Sequence, residues 1–361
     1  MTETLRAELV DLTTRLMAFE SIEARPDQLT AVIDYAEAYI RTSPGVFVHR
    51  VERNRRPSLM VTLRDTHTPA VIYNAHLDVV PARPDQYIAQ VRDGRIYGRG
   101  SQDMKGAAAV YLRLLRDLAA LDTPPDVGFQ FVSDEEIGGL DGTGLLLEQG
   151  WRCGLFVAGE PTDLQICYAQ KGIMRVDIVV PGRPAHGSRP WEGRNAIATL
   201  RDGLIALEQR FPTPDEPAWM TTVVPTIVSG GTAENRLPEE VRLRLDIRFI
   251  AEDSPTMIIA ALHDCFPQAA IIGDPIEGGL LNTDIHNPAV QQLATTVADV
   301  TGTPAGFYRE HYGSDARFYS DAGIPSVCCG PTGAGLHSDE EWVDIASLVQ
   351  FYAISRRLVG A

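Results

Sequence analysis

Three apolar runs in the first half of the chain each break into acidic or histidine residues at their carboxyl ends. "AVIYNAHLD" (70–78) ends at His76 and Asp78, "VGFQFVSDEE" (127–136) at Glu135 and Glu136, and "GLFVAGEPT" (154–162) at Glu160. Short continuous apolar runs bounded by turn residues read as strands buried on both faces. Helical patterns over 104–120 and 141–149 separate the three runs. Strands alternating with helices build a largely parallel sheet. Ligands bind such a sheet beyond the carboxyl ends of its strands, and that is where these polar residues fall. One pattern therefore predicts both a fold class and a place for a site. The class is α/β, a mostly parallel mixed sheet with flanking helices.

The remaining segments add a second domain. Residues 3–18 and 27–42 read as helices, "VFVHRVE" (46–52) and "SLMVTLR" (58–64) as strands. Further on, "IMRVDIVVPG" (173–182) alternates like a half-buried strand. A helix over 194–210, strands "TTVVPTIVSG" (221–230) and "EVRLRLDIRF" (240–249), a helix over 254–265 and the short strand "AAIIG" (269–273) follow it. That order, β-α-β-β-α-β, is a ferredoxin-like α+β unit. Helices over 288–301 and 314–321, a buried strand in "GIPSVCCGP" (323–331) and a closing helix over 343–358 resume the first domain. A catalytic domain over 1–173 and 285–361 is thus expected to be interrupted by a smaller lid or dimerisation domain over 174–284. A length of 361 residues accommodates two such cores.

Charge narrows the function classes. The net charge of −16 disfavours nucleic acid and anionic membrane surfaces as partners. No apolar run reaches the length of a membrane span. The opening stretch "MTETLRAELVDLTTRLMAFES" has mixed charge and lacks the basic start and apolar core of a secretory signal. The five cysteines are odd in number and form no Cys-x-x-Cys pair, so they read as buried thiols in a reducing compartment. The expected location is the cytoplasm.

Candidate ligands collect around one turn. "GRGSQDMKG" (98–106) sets Asp103 at the tip of a glycine-rich turn before a helix. Such a turn can cradle phosphate through its N–H groups, but an aspartate at the tip opposes an anion and suits a cation. Nor do the glycines fit a dinucleotide fingerprint, because Asp103 stands where the third glycine belongs. His76, Asp78, Glu135, Glu136, Glu160 and His337 in "LHSDEE" (336–341) complete the set. Singly, each is a turn residue, a surface charge or a core histidine. Gathered at one sheet edge, two imidazoles and several carboxylates suit zinc. One ion cannot use them all, but two ions about 3.5–4 Å apart can if a carboxylate bridges them. Asp103 is the natural bridge.

The motifs "HLDVV", "YGRGSQDMKG", "SDEEIGG", "GEPT", "AHGSRPWEGRNAI" and "LHSDEE" occur in that order. In this the chain resembles the co-catalytic di-zinc metallopeptidases, among them acetylornithine deacetylase, succinyl-diaminopimelate desuccinylase, aminoacylase and glutamate-releasing carboxypeptidases. The resemblance implies two zinc ions per chain, with cobalt or manganese as substitutes. It implies His76, Asp103 and Glu160 on one ion, and Asp103, Glu136 and His337 on the other. Glu135 is implied as general base, Asp78 as the carboxylate orienting His76, and a cis peptide after Asp103. His186 in "AHGS" is implied as a donor to the oxyanion, and Asn235 in "AENRLP" as a lid residue reaching the site. Arg317 in "GSDARF" is similar to the desuccinylase arginine that holds a substrate carboxylate, although Gly313 replaces that pattern's threonine. Arg248 in "DIRF" is a second candidate clamp, since arginine pairs bidentately with carboxylate. Its bland reading is an outward position on an alternating strand that also carries Arg242 and Arg244.

The expected activity is hydrolysis of the amide bond of a small N-acyl amino acid or short peptide with a free carboxylate. The alternatives are a carbamoyl or ureido amide hydrolase on the same scaffold, and a non-catalytic binding protein. A homodimer through the smaller domain is expected, as the resembling family often forms; in such dimers His186 and Asn235 can enter the neighbouring chain's site, and the alternative is a monomer whose own lid closes over its own metals.

Overall fold

The three apolar runs form adjacent parallel strands. In the computed structural model, which describes residues 2–272 and 278–361, Val71–His76 lies between Val127–Val132 and Leu155–Ala158. The register pairs His76 with Val132 and Asn74 with Ala158. Two of the strands therefore end level and the third two residues earlier, and the residues just beyond them leave from one edge. Every residue of the three is buried, as continuous apolar runs require of strands covered on both faces.

Ser326–Cys328 extends the parallel set beside Leu155–Ala158. Antiparallel strands flank it, with Phe47–Arg53 and Arg56–Thr62 on one side and Ile166–Gln170 on the other. The sheet is thus mixed, with its parallel part at the centre. Helix Gly106–Ala119 carries the site's turn at its head. It begins with three alanines that are fully buried, so its backbone can approach the sheet closely. Helices Thr2–Met17 and Ile345–Leu358 share this core, where Tyr73 and Tyr111 stack at 4.9 Å.

A second, small sheet was not foreseen. Gln90–Arg92, Arg95–Tyr97, Gly333–Ala334 and Trp342–Asp344 pair antiparallel, with Tyr97 opposite Trp342. Segments of two or three residues carry no readable period. Their pairing sets the turn after Tyr97 beside the 335–341 loop.

The chain divides into two compact units. One comprises Met1–Ala169, Leu281–Glu310 and Ser314–Ala361; the other comprises Gln170–Leu280 with His311–Gly313. The sequence had placed these boundaries four residues later at each end, without the 311–313 segment. In the smaller unit, strands Gly172–Pro181, Thr222–Gly230, Glu240–Phe249 and Ala270–Ile272 form one antiparallel sheet, with Gly172–Pro181 and Glu240–Phe249 central. Gly273, the last residue of the expected strand "AAIIG", lies outside the described residues. Alternation in "EVRLRLDIRF" buries Val241, Leu243, Leu245, Ile247 and Phe249 in one core with Leu200 and Leu262 of the two helices. The arginines face outward, and Arg244 pairs with Asp177 at 2.6 Å.

Candidate metal centre

Asp103 stands between two imidazoles. Its Oδ1 lies 2.9 Å from His76 Nε2 and its Oδ2 lies 3.1 Å from His337 Nε2. His337 Nε2 is also 3.3 Å from Glu136 Oε2. One ligand atom each from His76, Asp103 and Glu136 falls within 4.8 Å of the others, close enough to share an ion. Glu160 is buried, and its Oε1 has no hydrogen-bond partner. A buried carboxylate oxygen without a donor is costly unless a cation supplies the missing charge. The donor set therefore fits divalent metal ions bound through nitrogen and oxygen.

Local structure explains the placement. Gly98 and Gly100 have φ of 130° and 80°, so the chain doubles back before Asp103. A Cβ at Gly98 would sit 2.6 Å from the Gln86 carbonyl oxygen. The Asp103–Met104 peptide is cis. His337 itself holds φ at 57°, an unusual value for a residue with a side chain, directly after the Gly335–Leu336 turn. Asp78 touches His76 through its backbone as well as its carboxylate. His76 Nδ1 is 3.0 Å from the Asp78 carbonyl and 3.6 Å from Oδ1, while Oδ2 accepts the Glu136 N–H at 3.0 Å. Nδ1 therefore donates to the Asp78 carbonyl, which leaves Nε2 on the Asp103 side as the nitrogen that a metal ion would take once its proton has left.

Electrostatics reflect crowded buried carboxylates. Burial pushes Asp78 up to about 7 and holds Glu135 and Glu160 well above the usual carboxylate range. Burial also resists charging His76, yet Asp103, Asp78 and Glu160 override it and raise its pKa. Hydrogen bonds to Asp103 and Glu136 push His337 up to about 10. A group of acids that favours protons and protonated imidazoles this strongly is a group that favours cations.

One residue escaped the sequence reading. Glu341 is 1% exposed. Its Oε1 accepts from the N–H groups of Gln102 and Asp103 at 2.9 and 3.1 Å, and its Oε2 from Gly100 N–H at 3.0 Å and Arg99 Nη1 at 2.6 Å. Arg99 also donates to the Ser338 carbonyl at 3.2 Å. A single buried carboxylate thus ties the turn carrying Asp103 to the loop carrying His337. The signal was the final Glu of "LHSDEE", which beside Glu340 looks like surface charge. Glu341→Ala is expected to weaken metal binding by about 10–100-fold, as loss of outer support does at metal sites. Metal titration of the folded variant checks this, and wild-type affinity would dismiss the role.

The remaining expected residues are Arg317, His186, Asn235 and Arg248. Arg317, in the larger unit, is 5% exposed, and its guanidinium donates to the carbonyls of Ser314 and Gly138 at 3.0 and 2.6 Å. His186, Asn235 and Arg248 belong to the smaller unit. His186 and Asn235 are exposed. His186 Nδ1 lies 2.8 Å from Ser188 Oγ and accepts the Ser188 N–H at 3.2 Å. Arg248 pairs with Asp246 at 2.8 Å.

Comparison with known proteins decides the class. Residues 72–361 match the model of peptidase family M20/M25/M40. The chain belongs to this family. It is accordingly a hydrolytic enzyme acting on amide bonds. Among relatives, the succinyl-diaminopimelate desuccinylase of Dinoroseobacter shibae is 29% identical over 351 residues, spanning 88% of this chain and 90% of the relative. Among solved structures, an M20 family metallo-carboxypeptidase from Sulfolobus solfataricus has a TM-score of 0.77 at 15% identity, covering 98% of each chain. A dinuclear metal binding peptidase of the M20 family from Bacillus subtilis has a TM-score of 0.74 at 14% identity, covering 99% of this chain and 98% of that one. These two share the fold with this M20 member.

Proposed function

We propose that this M20 peptidase is a zinc-dependent hydrolase of small N-acyl amino acids or short peptides bearing a free carboxylate. The observation that carries the reading is the convergence of His76 Nε2 and His337 Nε2 on the two oxygens of Asp103, beside Glu136. The names of the desuccinylase and carboxypeptidase relatives support a substrate with a carboxylate.

Zinc bound here would supply Lewis acidity at the scissile carbonyl and make bound water more acidic. His76, Asp103 and Glu160 would hold one ion, and Asp103, Glu136 and His337 the other. Glu135 takes the proton of the attacking water and returns it to the leaving amine. The Ser188 N–H fixes His186 Nδ1 as an acceptor, so Nε2 carries the proton and can donate to the oxyanion. Asn235 acts beside it, and Arg248 binds the carboxylate. Arg317, whose buried Nε has no hydrogen-bond partner while its other nitrogens donate to the Ser314 and Gly138 carbonyls, is the other clamp for the carboxylate. The smaller unit serves as lid, and the enzyme works in the cytoplasm, in keeping with five free cysteines.

A screen of N-acetyl amino acids, N-succinyl amino acids and dipeptides with zinc added tests the reading. Turnover of at least one class is expected. Turnover confined to carbamoyl or ureido amides would overturn the choice of substrate, and none with any amide would overturn the activity.

A homodimer through the smaller unit is part of the proposal. Thr222–Gly230 is the edge strand of its sheet, and Ile227 and Val228 on it are 63% and 62% exposed. An exposed apolar edge is a surface that a second copy can cover. Mixing inactive Glu135→Ala with inactive His186→Ala is then expected to restore up to roughly a quarter of native activity, because one site in a shuffled heterodimer is intact. No recovery after subunit exchange would place His186 in its own chain's site.

A further inference from the structure

The loop of residues 18–25 joins helix Thr2–Met17 to helix Pro26–Ile40 and lies outside the 72–361 portion that matches the family model. It nevertheless meets two of the segments that carry metal-site residues. Ser21 is fully buried. Its Oγ donates to the Leu77 carbonyl at 2.6 Å, and its own carbonyl accepts the Val79 N–H at 3.0 Å. These two bonds fall on either side of Asp78, whose carbonyl lies 3.0 Å from His76 Nδ1. Two residues before Ser21, the Phe19 carbonyl accepts from Lys105 Nζ at 2.8 Å.

Lys105 is an unusual residue for its place. It is 0% exposed and follows Asp103 by two residues. A buried ammonium is costly unless hydrogen bonds and counter-charges are supplied, and an apolar side chain of similar length would fill the space without that cost. Burial lowers the Lys105 pKa, and the Asp78 and Glu341 carboxylates oppose the drop. What the ammonium adds is the bond to Phe19. The stem of Lys105 also meets Val79 at Gly100, where a Cβ would fall 2.8 Å from Val79 Cγ1 and 3.0 Å from Lys105 Cδ. The strand end that carries His76 and the turn that carries Asp103 are thus joined twice, once through residues 19–21 and once by direct packing.

We propose that Ser21 and Lys105 are positioning residues of the metal centre. Residues 19–21 form a brace that holds the His76–Asp78 strand end against the Asp103 turn, and so fixes the 2.9 Å approach of His76 Nε2 to Asp103 Oδ1. Glu341 ties the same turn to the loop of His337; the brace ties it to the strand of His76. This role depends on the reading of the cluster as a metal centre.

Titration of metal-free protein with cobalt, followed by heat and by the visible absorption of the bound ion, separates the two. Ser21→Ala and Lys105→Met are each expected to weaken cobalt binding by about 10–100-fold, the range for lost outer support at a metal site. Each is also expected to alter the visible bands of the loaded protein, because the ligands around the ion move. Ser21→Thr keeps the hydroxyl and is expected to lie nearer the native protein than Ser21→Ala in both readouts. Ser21→Ala removes a single hydroxyl and decides the matter if Lys105→Met does not fold. Native affinity and native bands in the folded variants would overturn the brace, even with a lowered melting temperature, because the residues would then support only the fold. Absence of cobalt binding by the native chain would instead overturn the metal centre itself.

Discussion

Glu135→Ala is expected to lower kcat by roughly 10²–10⁴-fold with metal content intact, whereas Glu136→Ala is expected to lose metal from one site. The two residues are adjacent in sequence, but their surroundings differ. Glu136 has its Oε2 3.3 Å from His337 Nε2, and its backbone N–H is bonded to Asp78, so it is held in a ligand position. The Glu135 carboxylate makes no hydrogen bond or ion pair among the described residues, and only its backbone carbonyl accepts, from Gly138 N–H. Burial, with Glu160 beside it, makes its carboxyl hold a proton more readily than usual, which suits a group that must carry one to a leaving amine. Elemental analysis and kcat, measured on both variants, separate the roles. Equal metal content with equal activity would show that they are misassigned.

The metal site was legible because several independent signals agreed. Buried parallel strands need continuous apolar runs, and their carboxyl ends were visible as abrupt changes to His, Asp and Glu. His76, Asp103, Glu136 and His337 are far apart in the chain, yet the runs alone predicted one edge for His76 and Glu136, and the glycine-rich turn supplied Asp103. The cis peptide after Asp103 was not readable from residue types, and only the family resemblance implied it. The small sheet that brings Tyr97 opposite Trp342 was illegible, because its strands are too short to show a period. Glu341 was missed for the same reason, since its role depends on that pairing. For Arg317 a motif match implied a carboxylate partner; in the fold its guanidinium donates to two backbone carbonyls while its buried Nε has no hydrogen-bond partner.

Removal of metal is expected to abolish hydrolysis, and zinc to restore it with about two ions per chain at saturation. The side chains also predict how restoration depends on pH. Hydrogen bonds to Asp103 and Glu136 raise His337 to about 10, and Asp103 helps raise His76, so in metal-free protein near neutral pH both imidazoles retain protons. Burial raises the Glu160 carboxyl well above the usual carboxylate range as well. A zinc ion binds neutral imidazole and ionised carboxylate, so these protons must leave as it enters. Affinity should therefore rise as pH rises through the neutral range, and binding should release protons measurable as a buffer-dependent heat. Zinc should also raise the melting temperature, since it binds the folded chain and not the unfolded one. Zinc binding without proton release would contradict this electrostatic account of the site. Full activity in chelator, with elemental analysis showing no metal, would end the metal-dependent reading.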